Sequence, residues 1–190
     1  MTSPPQATTA IFTLPNIISF VRLLLVPLFL WLLLGRDQVA AAGWLLGIIG
    51  STDWIDGYLA RRLGQVSELG KLLDPVADRL AVAAAVIGGL IAGVLPPWFA
   101  WALIVREALI AGGAAFVGIR AGSKLAVREL GKLATLMLYA AIAWLFIGIG
   151  TPVGWLETLA WIVGIPGLVL YWIVGFQYLG DARRILAGDG

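Results

Sequence analysis

A chain of 190 residues that is 61% hydrophobic and only 13% charged, with a mean hydropathy of +0.96, lies outside the range of soluble domains, for which about 45–50% apolar and about 25% charged is usual. It reads as an all-α integral membrane protein with room for about six spans of ~20 residues, and a net charge of +2 gives no reason to expect nucleic-acid binding. Lacking cysteine and histidine, it has no disulfide, thiolate nucleophile, Cys-ligated zinc or imidazole base, so a bound metal must take oxygen ligands, which favours Mg²⁺, Mn²⁺ or Ca²⁺.

Met1 to Ala10 are polar, uncharged and rich in Ser, Thr and Pro, so residues 1–12 are expected to form a disordered tail. The apolar run Leu23 to Leu34 has no basic residue before Arg22, and Arg36 and Asp37 interrupt the small-residue region after it. A signal peptide needs the opposite arrangement, so Ile17 to Leu34 reads as a retained first span. The second span runs from Val39 to Leu63 and carries Asp53 and Asp56 in its second half. The third, Gly70 to Val94, carries Asp74 and Asp78 in its first turns. Pro96 and Pro97 turn the chain into a fourth span, Trp98 to Ile119, interrupted by Arg106 and Glu107; a fifth covers Leu130 to Ile149 and a sixth Trp155 to Leu179. One membrane domain, 13–182, and a short tail, 183–190, are expected. The pairs Gly43/Gly47 and Gly89/Gly93 have the spacing that lets helices approach closely.

Orientation follows from the basic residues. Arg61, Arg62 and Lys71 lie between spans two and three, Arg120, Lys124, Arg128 and Lys132 between four and five, and Arg183 and Arg184 at the C-terminus. The opposite loops offer Arg36 beside Asp37, so the positive-inside bias puts both termini and the basic loops in the cytoplasm of an inner (plasma) membrane protein. Counted from Val39, Asp56 is ~25 Å along a helix rising ~1.5 Å per residue, near the inner edge of a ~30 Å core. Asp74 and Asp78 enter from that same side. The acids therefore meet at cytoplasmic headgroup level.

Asp53 and Asp56 are spaced i, i+3 and Asp74 and Asp78 i, i+4, so each pair shares a helix face. Carboxylates near lipid need a partner, a cavity or a metal. One or two divalent cations between the two faces would neutralise them and form a centre for displacement at phosphorus. Gly57 and Ala60 add no bulk beside the first pair, and Arg61 is a candidate phosphate partner. Ion or proton conduction, or simple pairing of Asp residues with Arg61 or Lys71, are the competing readings.

Asp53, Asp56, Gly57, Ala60, Arg61, Gly70, Asp74 and Asp78 stand at every position and spacing of the D-x2-D-G-x2-A-R-x8-G-x3-D-x3-D pattern, and on it the chain resembles the CDP-alcohol phosphatidyltransferase family. The likeness extends to LPNIISFVR (Leu14 to Arg22), similar to the opening segment of bacterial phosphatidylglycerophosphate synthases, and to Arg106-Glu107 and Gly131-Lys132. The resemblance implies six transmembrane helices around a cytoplasm-facing polar cavity, and commonly a homodimer. It implies that Asp53, Asp56 and Asp74 bind divalent metal, that Asp78 contributes to that site and acts as base, and that Asp53, Gly57, Ala60, Arg61 and Gly70 help hold the CDP donor. Mg²⁺ or Mn²⁺, in two ions, would be the cofactor and CDP-diacylglycerol the donor, with CMP released. With His and Cys absent, a carboxylate is the natural group to take the proton of an attacking hydroxyl.

Arg106, Arg120, Lys124, Arg128 and Lys132 offer positive charge for a phosphorylated acceptor, although the inside bias alone would supply cations in that loop. Arg106 and Lys132 are the stronger candidates, being charges in apolar surroundings. Glu107 is a candidate partner for Arg106, and Arg79 a candidate counter-ion for its neighbour Asp78. Asn16, Ser19 and Arg22 can line the same cavity, with Arg22 snorkelling to the headgroups as the alternative. Glycerol 3-phosphate is the expected acceptor, giving phosphatidylglycerophosphate, followed by phosphatidylglycerol, as in a cardiolipin synthase; inositol phosphate and serine rank lower. A cation transporter would explain the acids but not Gly57, Ala60, Arg61 and Gly70. A scaffold that had lost catalysis would not be expected to keep the acids.

Overall fold

The computed structural model describes the backbone of residues 14–63, 68–121 and 129–187, and the side chains within them except at 14–16, 53–63, 68–75, 118–121, 129 and 185–187. The described residues form six long helices: α1 (Leu14–Leu30), α2 (Val39–Leu63), α3 (Glu68–Ile91), α4 (Pro97–Ala121), α5 (Glu129–Gly150) and α6 (Gly154–Ala187). In lipid a backbone must satisfy its own polar groups, which these apolar sequences do as helices. Four stretches, Ile17–Gly35, Pro97–Val117, Leu130–Gly150 and Gly154–Arg184, are long and apolar enough to cross a membrane; α2 has the shorter apolar stretch Val39–Thr52 before its acids begin. Helix α6 continues through Arg183 and Arg184 to Ala187 rather than ending at Leu179.

The connections follow local chemistry. After α1 the chain widens into a π-helical turn, Trp31–Gly35, and reverses at Asp37, which takes a positive φ of 51°. Gly93, at φ 70°, ends α3, and the Gly89 carbonyl accepts from the amides of Val94 and Leu95 at 2.9 and 3.0 Å. Glycine, with no Cβ, takes that left-handed position most readily. Pro97 then opens α4, where its missing N–H costs nothing. At the α5–α6 turn, Thr151 Oγ1 donates to the Ile147 carbonyl at 2.7 Å and accepts from the Val153 amide at 3.4 Å.

Packing neighbours close into a ring in the order α1, α2, α5, α6, α4, α3, with α2 and α3 also touching across it. Phe29 and Leu33, Ala42 and Leu46, Leu95 and Phe99, and Phe146 fill one end of this ring and are all buried. There Trp98 stacks on Trp161 with ring centres 5.8 Å apart, and Phe99 meets both edge-on at 5.4–5.5 Å, joining α4 to α6. The acid-bearing parts of α2 and α3 belong to the opposite end. Large apolar side chains such as Trp44, Ile87, Trp101, Leu136 and Phe176 face outward, as lipid contact requires.

Glycines set the closest crossings. Gly43 packs on Phe146 and Ile147 of α5, and Gly89 on Phe146 and Leu95, whereas Gly47 faces open space and Gly93 serves the turn. One member of each spaced pair is thus a packing position. A Cβ on Gly150 would fall 2.3 Å from the backbone nitrogen of Ala40, and backbone cannot rotate away as a side chain can. Gly150→Ala should therefore force α2 and α5 apart and lower stability by roughly 1–3 kcal/mol, read as a lower midpoint of thermal unfolding in detergent.

Candidate active site

Helix α2 runs unbroken through Asp53, Asp56, Gly57, Ala60 and Arg61, and α3 through Gly70, Asp74 and Asp78. The i, i+3 and i, i+4 spacings therefore do place each acidic pair on one helical face. Ahead of the first pair, Ser51 Oγ donates to the Gly47 carbonyl at 2.8 Å and Thr52 Oγ1 to the Ile49 carbonyl at 2.7 Å, which keeps the polar hydroxyls inside the helix's own bonding. The side chains of Asp53, Asp56, Gly57, Ala60, Arg61, Gly70, Asp74 and Arg120 lie outside the described residues, as do Lys124 and Arg128 and the tail 1–12.

Asp78 is described, and its surroundings bear on two of the alternatives. Arg22 of α1 does not snorkel: its side chain is 1% exposed, and its Nη1 donates to Asp78 Oδ1 in an ion pair between α1 and α3. Among the described residues the counter-ion of Asp78 is Arg22, from another helix, while its neighbour Arg79 is exposed. Ser19, one turn before Arg22, is fully buried on the same helix. Helix α1 packs along both α2 and α3, so it stands beside both acid-bearing helices.

Arg106 lies ~14 Å beyond Pro97 along a helix rising ~1.5 Å per residue, near mid-membrane. It is 6% exposed and engaged by Glu107 and Tyr171. Its Nη1 donates to Glu107 at 3.2 Å, its Nε to the Tyr171 carbonyl at 3.3 Å, and its guanidinium lies 3.6 Å from the centre of the Tyr171 ring. The Tyr171 hydroxyl in turn donates to Glu107 at 2.5 Å. The expected Arg106–Glu107 pair is present, and Tyr171 on α6 completes it into a triad tying α4 to α6. The sequence held no signal for Tyr171, one aromatic in an apolar run. Lys132, on the first turn of α5, is exposed.

The donor set suits a hard divalent cation: Asp53, Asp56, Asp74 and Asp78 supply carboxylate oxygens, with no imidazole or thiolate in the chain to favour a softer metal. Among the described residues no three such groups converge, since three of these four side chains fall outside them.

A family model described as CDP-alcohol phosphatidyltransferase matches residues 12–173. A cardiolipin synthase (CMP-forming) of Streptomyces coelicolor is 38% identical over 193 residues, covering 96% of this chain and 88% of its own. A CDP-diacylglycerol–glycerol-3-phosphate 3-phosphatidyltransferase of Shigella flexneri is 33% identical over 184 residues, covering 92% of this chain and 97% of its own. The enzyme of that name from Bacillus subtilis is 39% identical over 138 residues, covering 65% of this chain and 71% of its own.

Proposed function

Because the chain belongs to the CDP-alcohol phosphatidyltransferase family, we propose that it transfers the phosphatidyl group of CDP-diacylglycerol to the hydroxyl of a glycerol-based acceptor and releases CMP. The observation that carries this reading is the acid set itself, on two helices packed against a common α1, with Asp78 part-exposed and oriented by a buried arginine. Asp78 takes the proton of the acceptor hydroxyl as its oxygen forms a bond to the lipid-linked phosphorus, and the bond from that phosphorus to the bridging oxygen of CMP breaks. Asp53, Asp56, Asp74 and Asp78 would hold Mg²⁺ or Mn²⁺, whose charge, when bound, offsets that of the diphosphate and of departing CMP. Gly57, Ala60, Arg61 and Gly70 hold the cytidine diphosphate, Arg61 by pairing with phosphate. The active site faces the cytoplasm of the plasma membrane, and the protein works as a homodimer.

For the acceptor, phosphatidylglycerol is favoured, giving cardiolipin. The Streptomyces relative bears that activity in its name and aligns with 96% of this chain. Arg106, a leading candidate for a phosphomonoester, is already engaged by Glu107 and Tyr171. Glycerol 3-phosphate is the second reading, supported by the names of the Shigella and Bacillus relatives. Purified protein given CDP-diacylglycerol, Mg²⁺ or Mn²⁺ and each acceptor in turn should release CMP with phosphatidylglycerol, with cardiolipin found by mass spectrometry and all CMP release lost on chelation. CMP with glycerol 3-phosphate alone selects the second reading. No CMP with any acceptor, together with cation flux in liposomes, replaces the transferase by a transporter.

A further inference from the structure

Arg22 and Asp78 form an asymmetric pair. The arginine side chain is 1% exposed while the aspartate side chain is 44% exposed. A guanidinium withdrawn this far from solvent is strongly unfavourable without a charged partner, and among the described residues Asp78 supplies one. It is too enclosed to meet a substrate itself. Asp78, by contrast, has one oxygen held by Arg22 Nη1 and nearly half of its side-chain surface open.

We infer that Arg22 is a positioning residue for the transfer reaction: buried on α1, it fixes the Asp78 carboxylate on α3 in the orientation that receives the acceptor's proton. This rests on the reading of Asp78 as base. An aspartate has a staggered χ1 and a broad χ2, so without a tie its oxygens sample several orientations. Proton transfer in a displacement needs the accepting oxygen within hydrogen-bond reach of the attacking group, so a base left to rotate loses rate without losing substrate. The hold comes from a different helix than the one that carries the base. Because α1 packs along both α2 and α3, it also fixes Asp78 relative to the helix bearing Asp53 and Asp56.

The test measures CMP release by wild type, Arg22→Met, Arg22→Lys, Asp78→Asn and the double variant Arg22→Met/Asp78→Asn, each checked for folding by thermal unfolding in detergent. Arg22→Met should lower kcat about 10- to 100-fold while KM for CDP-diacylglycerol moves less than about two-fold, and Arg22→Lys, which keeps a cation but not the planar fork, should recover part of the loss. In the Asp78→Asn background Arg22→Met should change the residual rate less than about two-fold, because the group it serves is gone. Unchanged kcat in Arg22→Met overturns the inference while leaving the transferase reading in place. A raised KM at unchanged kcat makes Arg22 a donor ligand, and equal losses in both backgrounds make it independent of Asp78; either result overturns it too. If Arg22→Met does not fold, Arg22→Lys carries the same kcat and KM readouts. Wild-type protein that releases no CMP with any acceptor sinks the transferase reading beneath the inference, and the inference with it.

Discussion

Asp78→Asn should lower CMP release by at least about 10³-fold while the protein still folds, since loss of a positioned general base alone costs about 10²–10⁴ in rate. Asparagine is nearly isosteric and keeps an oxygen that can accept from Arg22 Nη1, but the buried guanidinium loses its charged partner, so the unfolding midpoint should fall as well. What is lost is the charge and the ability to take a proton. A single-turnover assay for CMP, with the unfolding midpoint as control, separates the two effects. Asp78→Asn with wild-type kcat would remove Asp78 from the chemistry.

Glu107→Ala should be the most disruptive change away from the acids. It leaves the Arg106 guanidinium near mid-membrane without its carboxylate, and the Tyr171 hydroxyl without the acceptor at 2.5 Å. Removing one partner of a fully buried pair costs about 3–5 kcal/mol; here Glu107 is 45% exposed and the Tyr171 carbonyl and ring still engage Arg106, so the loss is smaller. The expected loss is about 2 kcal/mol, seen as a lower unfolding midpoint, with Glu107→Gln recovering part of it. If Glu107→Ala instead leaves stability unchanged and raises KM for the acceptor, the triad serves the acceptor rather than the helix packing.

The membrane class, the six helices and most of their limits were legible, the end of α6 excepted, because apolar runs of span length, broken by Pro96-Pro97 or by charged loops, leave a chain in lipid little choice but helix. The acidic pairs were equally legible, since i, i+3 and i, i+4 spacings put each on one face of any helix that contains it. Arg22 was harder to read. Near the end of a span an arginine can either snorkel or turn inward, and sequence does not say which way the helix is rotated. Arg79 looked a natural partner for Asp78 only because it is adjacent, yet successive residues of a helix diverge around it.

Composition, and spacing along single helices, sufficed for the class of protein and for a short set of candidate acids, and the absence of His and Cys limits the chemistry open to them. The tertiary structure decided which charges meet: Arg22 with Asp78 across α1 and α3, and Arg106 with Glu107 and Tyr171 across α4 and α6. Such pairs depend on the rotation and register of separate helices. Those are set by close contacts between helices, such as Gly150 on Ala40, for which the chain carries no local pattern.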